Sequence, residues 1–366
     1  MKKDKNCKSS RCRRTSIGGQ ALMEGIMMRG PEKSAMAVRR PNGTICFEEE
    51  ANEKKPRPKI LKAPLIRGVV GFIDSMRLGY KYLMRSADIF MEEDTPPDAG
   101  DTDRAAKQGA AKAEEPKSTV SAATMAVVTV VATVLGVGLA LVLFFWLPTF
   151  IYQLLSDSIL PQGLAESRLA RSVFEGLFKI LILVAYMALV SLMKDIRRTF
   201  MYHGAEHKTI FCYENGLPLT VENVRKQRRF HPRCGTSFLI LMLLVSIVLG
   251  LFIPVQFWGL TGILNTLVRA AFKILLIPVM MGIGYELLKL AGKYDNLFTR
   301  IISAPGMWLQ HITVREPDDG MIACAIMAFA AVMPEGERAE YLVEGDGTPI
   351  LPEAAEAGEG TDTSTE

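Results

Sequence analysis

Residues 122–147 read AATMAVVTVVATVLGVGLALVLFFWL, an apolar run without a charged side chain. A helix of this length can cross roughly 30 Å of hydrocarbon. Similar runs occupy 173–193, which carries Glu175 and Lys179 near one end, 236–255, and 270–290, of which only 274–285 is uncharged. We therefore predict a membrane α-helical fold with about four spans. The alternative for the last run is a re-entrant or buried helix, because its uncharged centre is short.

The loops between these runs differ in basic residues, and this difference predicts the orientation of the chain. The loop 194–235 carries nine Lys and Arg side chains, whereas 152–172 and 256–269 together carry three. Basic loops remain on the cytoplasmic side of a bacterial membrane. We therefore expect a multi-pass protein of the bacterial cell membrane with both termini in the cytoplasm.

The partners that we expect follow from where the charge lies, since a net charge of +4 alone indicates little. The basic run at 225–229 stands beside a predicted span. Anionic lipid headgroups are its expected neighbours, and nucleic acid is not. A membrane-protein partner is a further expectation. The six cysteines show no spacing typical of a disulfide framework, so we interpret them as reduced.

The basic loop contains three of the four histidines, in Tyr-His-Gly-Ala-Glu-His (202–207) and His-Pro-Arg-Cys (231–234). His-x-x-Glu-His is the inverted form of a metalloprotease helix motif. One helical turn places His203 and His207 on the same face, close enough to share an ion. His231 and Cys234 could complete the coordination shell. The sequence therefore predicts a metal site, with Zn²⁺ as the expected cofactor.

Three interpretations of this loop remain open. In a catalytic site, His203 and His207 bind Zn²⁺ with His231 or Cys234, and Glu206 is the general base for a water. In a structural site, all four ligands bind the metal and no position stays open. In the third interpretation no metal binds, and the histidines pair with headgroups or nearby carboxylates.

The N-terminal part of the chain predicts a small α+β cytoplasmic unit. The Asn-Gly pair at 42–43 separates two short runs, 35–39 and 44–47, which is typical of a β-hairpin. Residues 64–90 show apolar positions three and four apart, which predicts an amphipathic helix. That helix lies in the membrane interface or packs onto the hairpin.

Composition divides the rest of the chain. Segments with few large apolar residues cannot bury enough surface to order themselves. An apolar-faced helix over 321–333 is expected on the cytoplasmic side. The predicted organisation is a basic N-terminus (1–16), the hairpin and amphipathic-helix unit (17–90), a disordered linker (91–119), a four-span membrane domain with its cytoplasmic metal loop and C-terminal helix (120–334, loop 194–235), and a disordered acidic tail (335–366).

Two further carboxylates are candidate functional residues. Glu286 lies near the inner end of the last apolar run, where an acidic side chain is costly and marks a functional site by default. An interfacial ion pair with Lys289 or Lys293 is the alternative. Glu24 stands among the glycines of the N-terminal unit; that unit could cover the metal loop, and Glu24 could supply a further ligand to it.

Several motifs together resemble the YqhQ-like family of bacterial multi-pass membrane proteins, a domain of unknown function. The matching stretches are GGQALMEGIMMRG (18–30), YHGAEHK (202–208), PRCGTSF (232–238), YELLK (285–289), PGMWLQ (305–310) and REPDD (315–319). The resemblance runs from about residue 18 to 333. It implies a membrane protein whose relatives are described as predicted metal-dependent enzymes, without naming a substrate.

These observations give two main functional hypotheses. The first is a membrane, metal-dependent hydrolase at the cytoplasmic face. The second is a non-enzymatic membrane scaffold or partner-binding protein whose metal site is structural. Transport is a third class, suggested by Glu286 alone, and the lack of an evident internal repeat disfavours it.

Overall fold

The computed structural model describes residues 15–52, 58–91, 122–294 and 296–342. These residues fall into two compact units, one within Met1–Glu92, Val184–Leu241 and Met281–Glu366, the other within Glu93–Leu183 and Met242–Met280. The strands are β1 (Gly18–Leu22), β2 (Gly25–Arg29), β3 (Lys33–Arg39) and β4 (Ile45–Ala51). The helices are α1 (Ile66–Met91), α2 (Ala122–Leu141), α3 (Leu147–Ser158), α4 (Gln162–Ala165), α5 (Arg168–Val190), α6 (Lys194–Glu214), α7 (Val221–Arg225), α8 (Gly235–Gly250), α9 (Gly262–Leu275), α10 (Ile277–Lys293), α11 (Leu297–Thr313), α12 (Asp319–Val332) and α13 (Glu335–Tyr341).

The first unit is built on an antiparallel sheet in the order β1-β2-β3-β4. The predicted hairpin is present, because β3 and β4 pair across the Asn-Gly turn with Arg39 opposite Ile45. Strands β1 and β2 are additional to our prediction. Their sequences do not alternate between polar and apolar residues, because helices cover both faces of the sheet.

Alternate residues of β2 and β3 enter two separate cores, as expected for strands whose side chains point to opposite faces. On one face the strands pack against α6 and α12, and the core there includes Ile26, Met28, Ala35, Ala37, Tyr202, Met321, Ile322 and Phe329. On the other face they pack against α1, and that core consists of Leu22, Met27, Met36, Val38, Tyr82 and Ile89. The sheet therefore presses directly against α6, the helix that carries the histidine motif.

The predicted amphipathic helix is confirmed as α1. It turns Tyr82 and Ile89 toward the sheet, in line with the expectation that it packs onto the hairpin. Its other side leaves Ile73, Met76 and Tyr80 exposed. An exposed apolar stripe of this kind also fits the interfacial alternative.

The C-terminal elements of the first unit extend beyond the expected boundary. The predicted helix over 321–333 is present as α12. The predicted disordered tail starts at 335, yet α13 occupies its first residues and buries Tyr341 and Leu342. Tyr341 packs near Tyr213 of α6, with ring centroids 4.8 Å apart. The remaining tail, the linker and the N-terminal 14 residues lie outside the described residues.

The apolar helices differ from the four predicted spans. Val130–Ser158, which includes a short π-helical turn, and Arg168–Val190 are long and apolar enough to cross a membrane. The predicted third span is not confirmed as a complete crossing on its own. Its helix α8 has 16 residues, or about 24 Å at 1.5 Å per residue.

The predicted fourth span is a broken pair of helices. Helices α9 and α10 meet at a 44° bend. Pro278 lies in the first turn of α10, where its missing N–H and its ring prevent a straight helix from continuing through this point. The described residues thus contain two apolar helices of spanning length, or three if the bent pair is one span.

Candidate metal centre

The histidine motif lies within α6, as the spacing predicted. Gly204 inside the motif has a structural reason. A Cβ atom there would overlap the carbonyl oxygen of Arg315 and approach its carbonyl carbon to 3.1 Å. The Arg315 N–H donates to the Phe200 carbonyl at 2.9 Å. Glycine therefore lets the segment after α11 lie directly against the metal motif.

Three candidate ligands converge in the first unit. The ligand atoms of His203, His207 and Cys234 all lie within 4.8 Å of one another. The His203 Nε2 atom is 3.1 Å from the Cys234 sulfur. His207 and Cys234 are buried. His203 and Cys234 are 31 positions apart in the sequence, and the fold brings them together at the start of α8.

Backbone carbonyls set the orientation of both imidazoles. The His203 Nδ1–H donates to the Thr313 carbonyl at 3.0 Å, and the His207 Nδ1–H donates to the Arg229 carbonyl at 2.5 Å. Because a carbonyl only accepts, Nδ1 carries a proton in each ring, and Nε2 is the atom that holds the lone pair when the ring is neutral. Both rings are therefore held in the tautomer that binds a metal through Nε2, the arrangement seen in protein zinc sites.

His231, the fourth predicted ligand, is beside the cluster but outside it. Its ring centroid lies 5.6 Å from that of His207. Its Nδ1 atom accepts from the Arg233 N–H at 3.2 Å, while its Nε2 atom faces Glu214 at 3.7 Å. Gln310 holds the His231 backbone at both its N–H and its carbonyl, each at 2.8 Å. The ring therefore needs to rotate to join the other three ligands.

Glu206, the predicted general base, is buried between α6 and the sheet. Its carboxylate accepts a hydrogen bond from the Gly19 N–H of β1 at 3.0 Å. A Cβ atom at Gly19 would come within 3.1 Å of this carboxylate, so the strand approaches it closely. The N-terminal unit thus contributes a backbone donor next to the candidate ligands, a contribution that we did not predict.

The charges of these groups are strongly coupled. Burial alone would lower the pKa of His203, but the neighbouring Cys234 sulfur outweighs it and raises that pKa to about 9. Burial alone would raise the pKa of Cys234, whereas His203 and His207 lower it well below its usual value. This coupling favours the thiolate of Cys234, the form that binds metals, and places the shared proton on His203, from which a bound metal would displace it.

The carboxylates near the cluster differ in their protonation. Burial raises the pKa of Glu206, and the neighbouring histidines only partly oppose this effect. Burial would also raise the pKa of Glu214, but hydrogen bonds from His231 and Arg233 lower it. His231 in turn has a lowered pKa, chiefly because it is buried. Glu206 is thus the carboxylate that more readily holds a proton here.

The donor set fits zinc. Two imidazole nitrogens and one thiolate are ligands that zinc accepts, at about 2.0–2.3 Å, which places tetrahedral ligand atoms roughly 3.3–3.8 Å apart. Ligand atoms already within 4.8 Å of one another need only small side-chain movements to reach this geometry. Three protein ligands leave one tetrahedral position, which is typical of catalytic sites.

The other two candidate carboxylates form ion pairs within the first unit. Glu286 accepts from the Arg67 guanidinium at 2.6 and 2.5 Å, so its partner is neither of the lysines that we expected. Glu24 has a positive φ of 49° and pairs with Arg198 through both of its carboxylate oxygens. Glu24 therefore fastens the β1–β2 turn to α6 and does not join the three converging ligands.

Sequence reasoning missed the residues that support the ligands. Gln310, the last residue of the PGMWLQ motif, is fully buried. Helical periodicity would assign a polar glutamine to the exposed face, so it does not predict this position. Buried Lys208 donates to the Arg225 carbonyl at 2.8 Å and pairs with Glu316. Lys208, Gln310 and Glu316 all lie in the motifs that carry the family resemblance, so the motifs marked them without indicating their roles.

The fold and the site define a largely helical protein with a small antiparallel sheet, two or three apolar helices of spanning length and a His₂Cys cluster. A family model described as "Protein of unknown function (DUF1385)" matches residues 63–335. The chain is 33% identical over 317 residues to "Uncharacterized protein YqhQ" of Bacillus subtilis (strain 168), which covers 86% of this chain and 91% of that protein. The chain belongs to this YqhQ-like DUF1385 family. No solved structure matches.

Proposed function

We propose that this protein is a metal-dependent hydrolase of the bacterial cell membrane, with a zinc site built from His203, His207 and Cys234. The observation that carries the proposal is the convergence of three ligand atoms within 4.8 Å, with both imidazoles held in the binding tautomer by backbone carbonyls. Histidines that bind a metal usually donate their second ring N–H to a carbonyl or carboxylate. A carbonyl partner for each of these two rings therefore supports a metal site over a chance cluster of histidines.

Bound there, zinc would supply Lewis-acid chemistry, polarising a scissile bond and lowering the pKa of a water. The chain itself would supply the proton acceptor. Glu206 is one position before His207, and the Gly19 N–H fixes its carboxylate at 3.0 Å. A buried carboxylate with a raised pKa takes up and returns a proton more readily near neutral pH than an exposed one does.

A structural metal site is the second candidate, and one observation favours it. His231 lies 5.6 Å from His207 between ring centroids, near enough to become a fourth ligand by side-chain rotation. Four protein ligands would close the site and leave no position for a reacting water. In that case the metal would fasten the loop between α6 and α8 for a scaffold or partner-binding role.

Membrane insertion and orientation are part of the proposal. Two apolar helices of spanning length, or three with the bent pair, support insertion. The basic residues of 194–235 support a cytoplasmic position for the metal loop and for both termini. Anionic lipid headgroups are the expected neighbours of that loop.

Metal analysis of the purified full-length protein tests the site. We expect about one zinc per chain in wild type, loss of most of it in His203→Ala, and no change in His311→Ala. His311 is exposed, hydrogen-bonds to the Trp308 carbonyl and packs against Phe230, but it does not belong to the ligand cluster. A wild-type protein that takes up no zinc, even when zinc is added, contradicts both candidate functions.

Two further variants separate the two functions. In a catalytic site, His231→Ala keeps the zinc, and Glu206→Gln keeps the zinc but abolishes turnover in a panel of chromogenic esters, phosphoesters and peptides. In a structural site, His231→Ala loses zinc and Glu206→Gln changes little. X-ray absorption at the zinc edge gives an independent answer, because it counts sulfur and nitrogen ligands in wild type. A shell of three protein ligands and one water supports the hydrolase.

A further inference from the structure

The second unit contains a cluster of buried charges that the metal site does not use. The cluster consists of Arg171, Glu175 and Lys179 on α5 and Arg269 and Lys273 on α9, all between 3 and 7% exposed. Helix α5 presents its three members one turn apart on the same side. The remaining residues of both helices are mostly apolar, so these five charged side chains lie close together in largely apolar surroundings.

The cluster has more positive charge than its own carboxylate can balance. Glu175 is shared by three cations, accepting from Arg171 Nε at 3.2 Å and pairing with Lys273 and, at 3.8 Å, with Arg269. With all four cations protonated, they and the one carboxylate carry a net charge of +3. The other acidic side chains among this unit's described residues, Asp157 and Glu166, form no ion pair with the cluster. Buried charge without a counter-ion is costly, so an anion is expected.

Some donors of the cluster are unsatisfied. Arg171 Nη2 and Arg269 Nε are buried and have no hydrogen-bond partner among the described residues. The Lys179 ammonium has no hydrogen bond or ion pair to any residue that the structure describes, and lies 5.6 Å from the centroid of the Phe145 ring. A lysine that is 7% exposed, with three free donors, is the strongest of these signals.

A cavity of about 240 Å³ adjoins the cluster, and its walls all belong to the second unit. Its polar side is formed by Lys179, Lys273, Glu175 and Ser172, and its remaining walls are largely apolar, including Phe145, Leu249, Ile253 and Met280. Pockets for drug-sized molecules run from about 300 Å³ upward. The cavity therefore suits a headgroup and the carbons next to it, with the rest of a chain lying along the exposed apolar side of α5.

We propose that this cavity binds an amphiphile with a phosphomonoester head and an apolar tail, such as a lipid phosphate. A phosphomonoester carries about −1.5 to −2 charges near neutral pH and three acceptor oxygens. It would offset most of the net +3 charge, and it would accept from the Lys179 ammonium and from the one Lys273 donor that Glu175 and Thr149 leave free. The apolar walls distinguish this site from one for a free inorganic anion, whose whole surface would need polar partners.

Binding of dioctanoyl phosphatidic acid to the purified full-length protein in a neutral detergent tests the proposal. Native mass spectrometry and a competition titration give stoichiometry and affinity. Dioctanoyl phosphatidylcholine and inorganic phosphate serve as the two comparison ligands. We expect saturable binding of one phosphatidic acid per chain, and much weaker binding of the other two ligands.

Three variants assign that binding to the cavity. Lys179→Met should weaken binding about tenfold or more, since it removes a charge-assisted hydrogen bond. Lys179→Arg should retain most of the affinity. Arg168→Gln, which removes an exposed charge from the first turn of the same helix, should leave the affinity unchanged. Because Lys179 has no hydrogen-bonding partner among the described residues, Lys179→Met should also be at least as heat-stable as wild type.

Several results would overturn the assignment. Equal affinity for phosphatidylcholine would remove the charge argument. Inorganic phosphate binding as tightly as phosphatidic acid would remove the amphiphile. Unchanged affinity in Lys179→Met, or an equal loss in Arg168→Gln, would place the lipid elsewhere on the protein. If Lys179→Met does not fold, the wild-type titration still decides, because failure of phosphatidic acid to saturate the wild-type protein rejects the site.

Discussion

The substitution Gly204→Ala tests whether the close contact between α6 and the segment after α11 maintains the metal centre. The added Cβ would overlap the Arg315 carbonyl oxygen, and the carbonyl carbon at 3.1 Å prevents a simple tilt away from it. Both obstructing atoms are backbone, so no side chain can rotate to make room. Overpacking of this kind costs about 1–3 kcal/mol. The gain in helix propensity from Gly to Ala offsets about 1 kcal/mol of that cost.

We therefore expect Gly204→Ala to lower the free energy of unfolding by up to about 2 kcal/mol. For a domain of this size this is a fall in Tm of up to about 8 °C. The zinc affinity should fall as well, by about 10–100-fold, because the Thr313 carbonyl that orients His203 lies two residues before the displaced Arg315. Differential scanning fluorimetry and zinc competition with a chromophoric chelator measure the two effects.

Gly71→Ala is the matched control. Gly71 is also helical, but a Cβ there would meet the Tyr285 ring at an ordinary 3.6 Å. Helix propensity alone then acts, and the variant should be more stable than wild type by up to about 1 kcal/mol. If Gly204→Ala is stabilised to the same extent as Gly71→Ala, or binds zinc as wild type does, the contact has no part in forming the site.

Three further predictions concern Gln310, Glu286 and Cys234, all of which lie in the first unit. Gln310→Ala should lower the free energy of unfolding by about 2–4 kcal/mol and reduce bound zinc, because it leaves the buried N–H and carbonyl of His231 without partners; chemical denaturation with metal analysis checks this, and a fully zinc-loaded variant of wild-type stability would contradict it. Glu286→Ala should change the free energy of unfolding by less than about 1 kcal/mol, because its ion pair with Arg67 is roughly a third exposed and screened by solvent. Thermal unfolding measures this change. A loss of zinc in this variant would mean that Glu286 contributes to the metal site. Alkylation of Cys234 should be slow in the zinc-loaded protein and faster after chelation, whereas the half-buried Cys46 of β4 should react at the same rate in both. Peptide mass spectrometry measures alkylation at both cysteines. Equal rates at Cys234 with and without zinc would mean that its sulfur is not a ligand.

The sequence predicted the parts of this protein that depend on local spacing. The helical period placed His203 and His207 on one face, and the same reasoning found α1 and α12. It predicted four spans, whereas the described residues contain two helices of spanning length, or three with the bent pair, because hydropathy over 236–255 does not show that the helix ends at Gly250. In the bent pair, Pro278 stands within an apolar run, and hydropathy alone does not indicate that the run bends there.

The supporting contacts lay beyond sequence reasoning, because they join residues far apart in the chain. Gly19 and Glu206 are 187 positions apart, and His203 and Thr313 are 110 apart. Periodicity reports only which face of an element is apolar, not which element covers it. Strands β1 and β2 were missed for the related reason that helices cover both faces of the sheet, which removes the alternation that marks a half-exposed strand.

The carbonyls that orient the two imidazoles belong to the main chain. These two orienting contacts therefore do not depend on which side chain stands at positions 229 and 313. Replacing Arg229 or Thr313 by another residue leaves the accepting oxygen in place. Adding or deleting one residue moves it by about 3.8 Å, the separation of successive Cα atoms. The centre should therefore tolerate many substitutions at the partly exposed Arg229, and those of similar size at the buried Thr313, but no change in the number of residues between Arg229 and Cys234. Alanine substitution at either position should leave zinc binding largely unchanged, whereas insertion of a single residue beside it should reduce zinc binding.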